Sequence, residues 1–186
     1  MNLSEMVMQM QTIGYEPDDA RARVCQDIVL KAISESTLSR NVTIKGGVVM
    51  RSMTNNIRRA TQDMDIDFIR YSLSDESIDL FVEKLNCLDG ITICRVGNIE
   101  ELSQQDYNGK RVHVHIIDKL GNQIESKIDL GVHKHMEIEQ EEYCFDIINY
   151  IKPWLTLWME FQSWLVVWTK GDDVLNVLFH ILNLIF

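Results

Sequence analysis

Asp63-Met64-Asp65-Ile66-Asp67-Phe68-Ile69 is the stretch on which the fold of this chain turns. Polar and apolar residues alternate with period two, the mark of a β-strand with one buried and one polar face, so the three aspartates share a face. Side chains at i and i+2 of a strand stand side by side, and Asp63 and Asp65 therefore aim their carboxylates at one point above a sheet. Two such charges ~4 Å apart repel by about 4 kcal/mol at an effective dielectric near 20, which favours a bound cation or a raised pKa. Hard oxygen ligands with room left for water and phosphate suit magnesium, or manganese in its place. Such a site can bridge two ions for in-line displacement at phosphorus. Taken alone, the same pattern also fits the solvated face of an edge strand, where charge discourages edge-to-edge pairing.

The neighbouring segments tip the balance. Upstream, Val42-Thr43-Ile44 is a short β-prone run stopped by Gly46-Gly47, after which Val48, Val49, Met50 and Met53 resume at helical spacing. A strand–glycine turn–helix order presents backbone N–H groups and the positive end of a helix to an incoming phosphate. Lys45 adds a cation beside the turn. A lone Gly-Gly is more often a plain tight turn; joined to a downstream D-x-D strand it is more specific. Downstream, Ile124-Glu125-Ser126-Lys127-Ile128-Asp129-Leu130 is a second alternating strand, with Asp129 between two apolar neighbours. Asp129 is a candidate metal ligand, or a general base for an attacking hydroxyl within hydrogen-bond reach; without the other motifs it would be an ordinary outward-facing residue.

The remaining segments complete an α/β (α+β) domain, residues 1–150, with a small mixed sheet flanked by helices. A helix is expected from about Pro17 to Ser36, opened by acidic residues at the positive end of its dipole. Ser74-Asp75-Glu76 opens another, with Ile78, Phe81, Val82 and Leu85 on one face and an end near Asp89-Gly90. Ile91–Val96, Arg111–Ile117 and Gln123–Val132 read as strands, the last two joined by a turn around Leu120-Gly121-Asn122. From Pro153 the composition changes: Trp154, Trp158, Trp164 and Trp168 crowd together, and Val174–Phe186 is almost wholly apolar. Glu160, Gln162, Lys170, Asp172 and Asp173 interrupt this region before it reaches the ~20 apolar residues of a membrane span. Residues 151–186 are therefore expected to be a short, apolar, Trp-rich helical tail and not a membrane segment.

Bulk properties narrow the function classes. A net charge of -10 over 186 residues, with an isoelectric point near 4.9, argues against the broad basic surface of a non-specific nucleic-acid binder. A nucleic acid would have to be met through a local basic patch. Cys25, Cys87, Cys94 and Cys144 are widely spaced, which suits reduced thiols. Met1–Thr12 lacks the basic and long apolar regions of a secretory signal, so a cytoplasmic location is expected.

Ile44-Lys45-Gly46-Gly47-Val48-Val49-Met50-Arg51, followed by Arg59-Ala60-Thr61-Gln62-Asp63-Met64-Asp65-Ile66-Asp67-Phe68, resembles the nucleotidyltransferase toxins of the AbiEii/AbiGii family, within the polymerase-beta-like superfamily. With Asp129 as the single acid of a later strand, the resemblance spans about Val42 to Val132. It implies a minimal nucleotidyltransferase fold and transfer of a nucleoside monophosphate from a nucleoside triphosphate to an acceptor hydroxyl. Gly46 and Gly47 would contact the phosphates, Asp63 and Asp65 would bind the Mg2+ (or Mn2+) ions, and Asp129 would be the third acid of the catalytic and metal-binding set. Lys45 and Arg59 would neutralise the triphosphate, and Asp67 is an alternative ligand. The implied biology is a toxin of a toxin–antitoxin or phage abortive-infection system, with a cognate antitoxin protein as partner and RNA, such as the acceptor end of tRNA, or protein as substrate. Family members generally continue into a larger helical lobe; here Lys170-Gly171-Asp172-Asp173 is the only candidate remnant of its motifs, a helix boundary explaining it equally well, and the tail resembles a truncated, frameshifted or diverged second lobe.

Other constellations carry less. His113 and His115 share a strand face, and His133 and His135 follow the next strand, a spacing compatible with zinc but without a supporting ligand pattern. Half-exposed strand residues, or the lining of the acceptor side of a cleft, account for them as well; His180 lies in the apolar tail. The N-terminal methionines and C-terminal tryptophans fit core or a partner-facing surface such as an antitoxin interface. The alternatives to the toxin reading are a small-molecule (antibiotic) nucleotidyltransferase, whose cationic substrate an acidic chain would suit, and a catalytically silent nucleotide-binding remnant.

Overall fold

A computed structural model of the chain describes residues 1–54, 61–69, 71–104, 107–132, 140–145, 147 and 163–168, with backbone alone at 103–104, 107–108, 140–144 and 163–168. Helix α1 (Leu3–Thr12) is capped by Asn2, whose side chain accepts from the Ser4 and Glu5 amides. It buries Leu3, Met6 and Met10, apolar residues at helical spacing, against α2 (Pro17–Glu35). The N-terminal methionines at positions 6 and 10 are thus core. Pro17 at the first position and Asp18 and Asp19 in the first turn start α2, because proline lacks an N–H that would go unpaired there and carboxylates favour the positive helix end. A short 3-10 turn, Thr37–Arg40, leads into β1 (Val42–Lys45).

The site-bearing elements follow in the expected order: α3 (Gly47–Thr54), then β2 (Asp63–Phe68). Helix α4 (Asp75–Lys84) is capped by Ser74, which accepts from the Ser77 amide. It stops earlier than Asp89-Gly90 because Asn86 turns its side chain into a bracket: the amide donates to the Val82 and Ile93 carbonyls, and its oxygen accepts from the Ile93 N–H. Next come β3 (Ile91–Gln104), β4 (Tyr107–Asp118), β5 (Gln123–Val132), β6 (Gln140–Phe145) and β7 (Ser163–Trp168).

The sheet order is β3-β4-β5-β2-β1-β7-β6. β1 and β2 are antiparallel, β2 and β5 parallel, and β3, β4 and β5 a continuous antiparallel meander. The architecture is the mixed α/β sheet with flanking helices that the alternation patterns imply. One face carries Met64, Ile66, Val112, Val114, Ile116, Ile128 and Leu130, all at most 1% exposed, and merges with the buried faces of α1, α2 and α4 in one core. Burying each such side chain contributes roughly 1.5–3 kcal/mol. Their number fixes the register, since a one-residue slip would drive Asp65 and Asp129 into that core. The opposite face carries Asp63, Asp65, Arg111, His113, Lys127 and Asp129, all half-buried.

Further departures from expectation lie in β3, in β4, which begins at Tyr107 instead of the expected Arg111, and in the tail. β3 continues well past Val96: the stretch from Val96 to Glu100 opposes His113 to Arg111 of β4 as an irregularity, with Gly97 at φ 69°, and pairing then resumes as far as Gln104 and Tyr107. A glycine in the left-handed region lets the extra residues loop out without ending the strand. The tail is a further correction. Ser163–Trp168, expected within a helical tail, is strand β7, parallel to β1 and antiparallel to β6; its aromatic and β-branched residues suit a pleated surface better than a helix. The rest of the tail, with Trp154, Trp158, Lys170–Asp173 and His180, lies outside the described residues. No helix among the described residues is long and apolar enough to cross a membrane.

Candidate functional site

A row of charged residues crosses the polar face of the sheet. Lys45 is the register partner of Asp65, Asp65 of Asp129, Asp129 of Arg111, and Arg111 of Glu100. A second row alongside it joins Asp63, Lys127 and His113. The parallel pairing of β2 with β5 is what sets Asp65 and Asp129 side by side, two carboxylates from segments far apart in sequence. This is the juxtaposition on which a shared site depends.

Each acid has a different electrostatic setting. Asp129 receives both prongs of Arg111, Nε to Oδ1 at 2.6 Å and Nη2 to Oδ2 at 2.8 Å, and this contact raises the Arg111 pKa further above its ordinary value. Asp63 pairs with Lys127 at 2.9 Å. Asp67, buried, pairs with Lys45 at 2.7 Å. Asp65 is the exception: burial pushes its carboxyl pKa up, Lys45 pulls it down, and Asp129, Asp63 and Asp67 push it up again. Desolvation and three neighbouring carboxylates disfavour its charge.

The glycine turn closes over that carboxyl. Gly46 has φ 71°, a conformation that costs an L-residue roughly 1–2 kcal/mol. A Cβ there would also sit 2.1 Å from Asp65 Oδ2, and one on Gly47 would sit 2.7 Å from the Thr61 side chain. Gly47 is therefore required by close approach to the Thr61 β-carbon, and Gly46 by its backbone conformation, with a side chain there also displacing the Asp65 carboxyl. Lys45, Asp65, Asp129, Leu130, Gly131, Leu102 and Gly109 line a cleft of about 110 Å3 at this point.

The structure thus brings Lys45, Gly46, Asp65 and Asp129 together, sets Gly47 directly behind the turn, and places Asp63 at the edge with Lys127. Arg59 lies outside the described residues, as do His133 and His135. Among the described residues no group of three His, Cys, Asp or Glu side chains is arranged to hold a metal ion. The donor chemistry at Asp65 nevertheless fits a hard divalent cation: carboxylate oxygens, with one acid whose charge is disfavoured until a cation offsets it. His113 lies between Glu125 and Glu100 at 3.2 and 3.4 Å, and His115 contacts the Gln123 amide at 2.9 Å; these are half-exposed strand residues with polar partners.

Arg111 and Lys127 escaped the reading of the sequence as partners of the acids, although the expected turn at Leu120 puts Arg111 opposite Asp129 in a hairpin. Also unforeseen is a buried polar group beneath the turn. Gln26, wholly buried in α2, receives Arg51 Nη1 on its amide oxygen and donates its amide to the Thr61 carbonyl at 2.8 Å and the Asp63 carbonyl at 3.5 Å. Asp27 lies alongside, 3.0 Å from Arg23 and 3.8 Å from Arg51. A polar residue on the buried side of α2 was the available signal. Comparison with protein-family models and with characterised proteins gives no match to this chain.

Proposed function

We propose that the chain is a metal-dependent nucleotidyltransferase that moves a nucleoside monophosphate from a nucleoside triphosphate to an acceptor hydroxyl. The observation that carries this reading is the packing of the Gly46 backbone against the carboxyl of Asp65, itself in register with Asp129. Phosphate-receiving N–H groups and cation-holding carboxylates then share one cleft. Asp63, Asp65 and Asp129 would hold Mg2+ or Mn2+, which when bound neutralises charge on the phosphates and lowers the pKa of the attacking hydroxyl. Gly46, Gly47, Lys45 and Arg59 receive the triphosphate. The acceptor oxygen forms its bond to the α-phosphorus as the bond to pyrophosphate breaks, and Asp129, if it is not a ligand, takes the hydroxyl proton. Arg111 holds Asp129 in position through two hydrogen bonds.

The resemblance of the K-G-G and R-x-T-x-D-x-D segments to AbiEii/AbiGii toxins extends the proposal to a cytoplasmic toxin with a cognate antitoxin, acting on RNA such as tRNA or on protein. A small cationic acceptor such as an antibiotic is the alternative substrate class. A second reading has its own support: Asp63 and Asp129 already meet Lys127 and Arg111, which suits a catalytically silent nucleotide-binding domain. The test is incubation of the chain, and of Asp63→Ala/Asp65→Ala, with labelled nucleoside triphosphates, Mg2+ and total bacterial RNA. Label on RNA with the parent and none with the variant supports the enzyme. Nucleotide binding without transfer to RNA, protein or aminoglycoside favours the silent domain, and absence of binding overturns the site.

A further inference from the structure

The glycine turn and the aspartate strand reach the cleft on separate elements, α3 and β2. Their relative placement must be set by something, because a phosphate held by the turn and a cation held by Asp65 have to coincide to within a fraction of an ångström. Arg51 lies one helical turn beyond Gly47 on α3, on the same side of the helix. Its guanidinium is buried at 3% exposure and donates to Gln26 Oε1. Gln26 Nε2 donates to the carbonyls of Thr61, just before β2, and of Asp63, its first residue. Thr61 in turn packs its side chain against Gly47. The contacts form a closed circuit: Gly47 to Arg51 along α3, Arg51 to Gln26, Gln26 to Thr61, and Thr61 back to Gly47.

We propose that Gln26 is a positioning residue that locks the phosphate-receiving turn to the aspartate strand. The proposal rests on the nucleotidyltransferase reading of the cleft. The chemistry of the side chain is specific to the task. Only a primary amide accepts from a guanidinium at one atom while donating two hydrogen bonds, to two main-chain carbonyls, from the other. A glutamate would still accept from Arg51 but would turn an oxygen on the two carbonyls, whereas an apolar residue of similar length would satisfy neither side. Placing an amide on the buried side of a helix is tolerated only where both of its ends are bonded, and here the two ends are bonded to the two halves of the site. Asp27 offsets the Arg51 charge, so Gln26 is left to set geometry and not to neutralise.

The test uses the full chain with Gln26→Glu, with Gln26→Met/Arg51→Met as a variant that removes both polar partners and keeps an apolar fill, and with Ile33→Val on the same helix as a packing control. Two readouts are taken: amide hydrogen exchange of the metal-free, nucleotide-free protein, and the Mg2+ concentration that half-saturates binding of ATP, CTP, GTP or UTP. Expected in both Gln26 variants is faster exchange confined to residues 46–51 and 61–66, together with an Mg2+ requirement about tenfold higher, the size typical when a supporting partner of a ligand is lost. Ile33→Val should lower the melting temperature without either change. Unaltered exchange at both segments, or a loss spread evenly over the whole sheet, overturns the positioning role. If the parent binds none of the four nucleotides with Mg2+, the nucleotidyltransferase reading falls, and the exchange pattern alone decides whether Gln26 couples α3 to β2.

Discussion

Arg111 and Asp129 face each other across β4 and β5 and share a two-pronged ion pair of 2.6 and 2.8 Å, both side chains being mostly covered. A guanidinium fork fixes both the position and the plane of a carboxylate, which a lysine would not. Arg111→Met keeps the stem and removes the fork. Transfer activity, or Mg2+-dependent nucleotide binding, should fall about 10- to 100-fold, with a loss of roughly 1–3 kcal/mol in urea unfolding from the acid left without its partner. Activity and stability both at parental level would show that Asp129 is oriented by other means.

Asp65 should behave as a residue kept for function at the expense of stability. Its folded-state pKa is raised by burial and by neighbouring acids, so the sign of the linkage is unfavourable at neutral pH. The stabilising contribution is complete below the ordinary carboxylate value of about 3.9 and is lost as pH rises through the higher folded value. Asp65→Asn should therefore melt above the parent at pH 7 in EDTA, and the advantage should vanish at pH 3.5. The same variant should lose Mg2+-dependent nucleotide binding. A lower melting temperature for the variant at pH 7 would contradict the crowding of charge around Asp65.

Gly46 and Gly97 offer a matched pair. Both have φ near 70°, at 71° and 69°, but a Cβ on Gly46 meets Asp65 Oδ2 at 2.1 Å whereas one on Gly97 meets nothing within 4 Å. Gly97→Ala should cost only the backbone term of roughly 1–2 kcal/mol. Gly46→Ala should cost more, and should displace Asp65 so that nucleotide binding is lost as well. Equal unfolding free energies for the two variants would remove the close approach as a reason for glycine at position 46.

The N-terminal helix should come loose in acid. Burial pushes the Asp118 carboxyl up, but donors from Asn122, Leu3 and Leu120 outweigh it and hold the pKa below the ordinary carboxylate value. Such a group stabilises the fold above the unfolded pKa of about 3.9 and ceases to do so as pH falls through its folded value. Asp118→Ala should destabilise the chain by about 2 kcal/mol at pH 7, speed amide exchange in α1, and differ progressively less from the parent as pH is lowered below about 4. A difference that stays constant down to pH 2 would argue against the Leu3–Asp118 tie.

Strong periodicity was enough wherever one face of an element is uniformly apolar. Met64 and Ile66 announce β2, and Ile124, Ile128 and Leu130 announce β5 with the boundaries that the structure has. Pro17 with Asp18 and Asp19 marks the start of α2 in the same way. What stayed hidden depends on partners distant in sequence. Gly97 reads locally as the end of a strand, and only continued pairing of Glu100–Gln104 with β4 carries β3 past it. Likewise, nothing in the Trp-rich tail reveals that Ser163–Trp168 finds a place beside β1. The acids of the cleft were visible as motifs, but the cations opposite them and the amide beneath them were not, because a register and a helix rotation decide which residues meet.

The position of β7 has a consequence for how the molecule comes into being. Its companion β1 is synthesised early, while β7 emerges from the ribosome only after every other described strand of the sheet has been made. Throughout that interval the main chain of Val42–Lys45, next to the glycine turn, offers its outer hydrogen-bonding groups to whatever strand comes near. A nascent chain stalled before residue 163 would thus expose a sticky seam beside its own cleft, and chaperone capture or misassembly of such intermediates should depend on how quickly translation delivers β7.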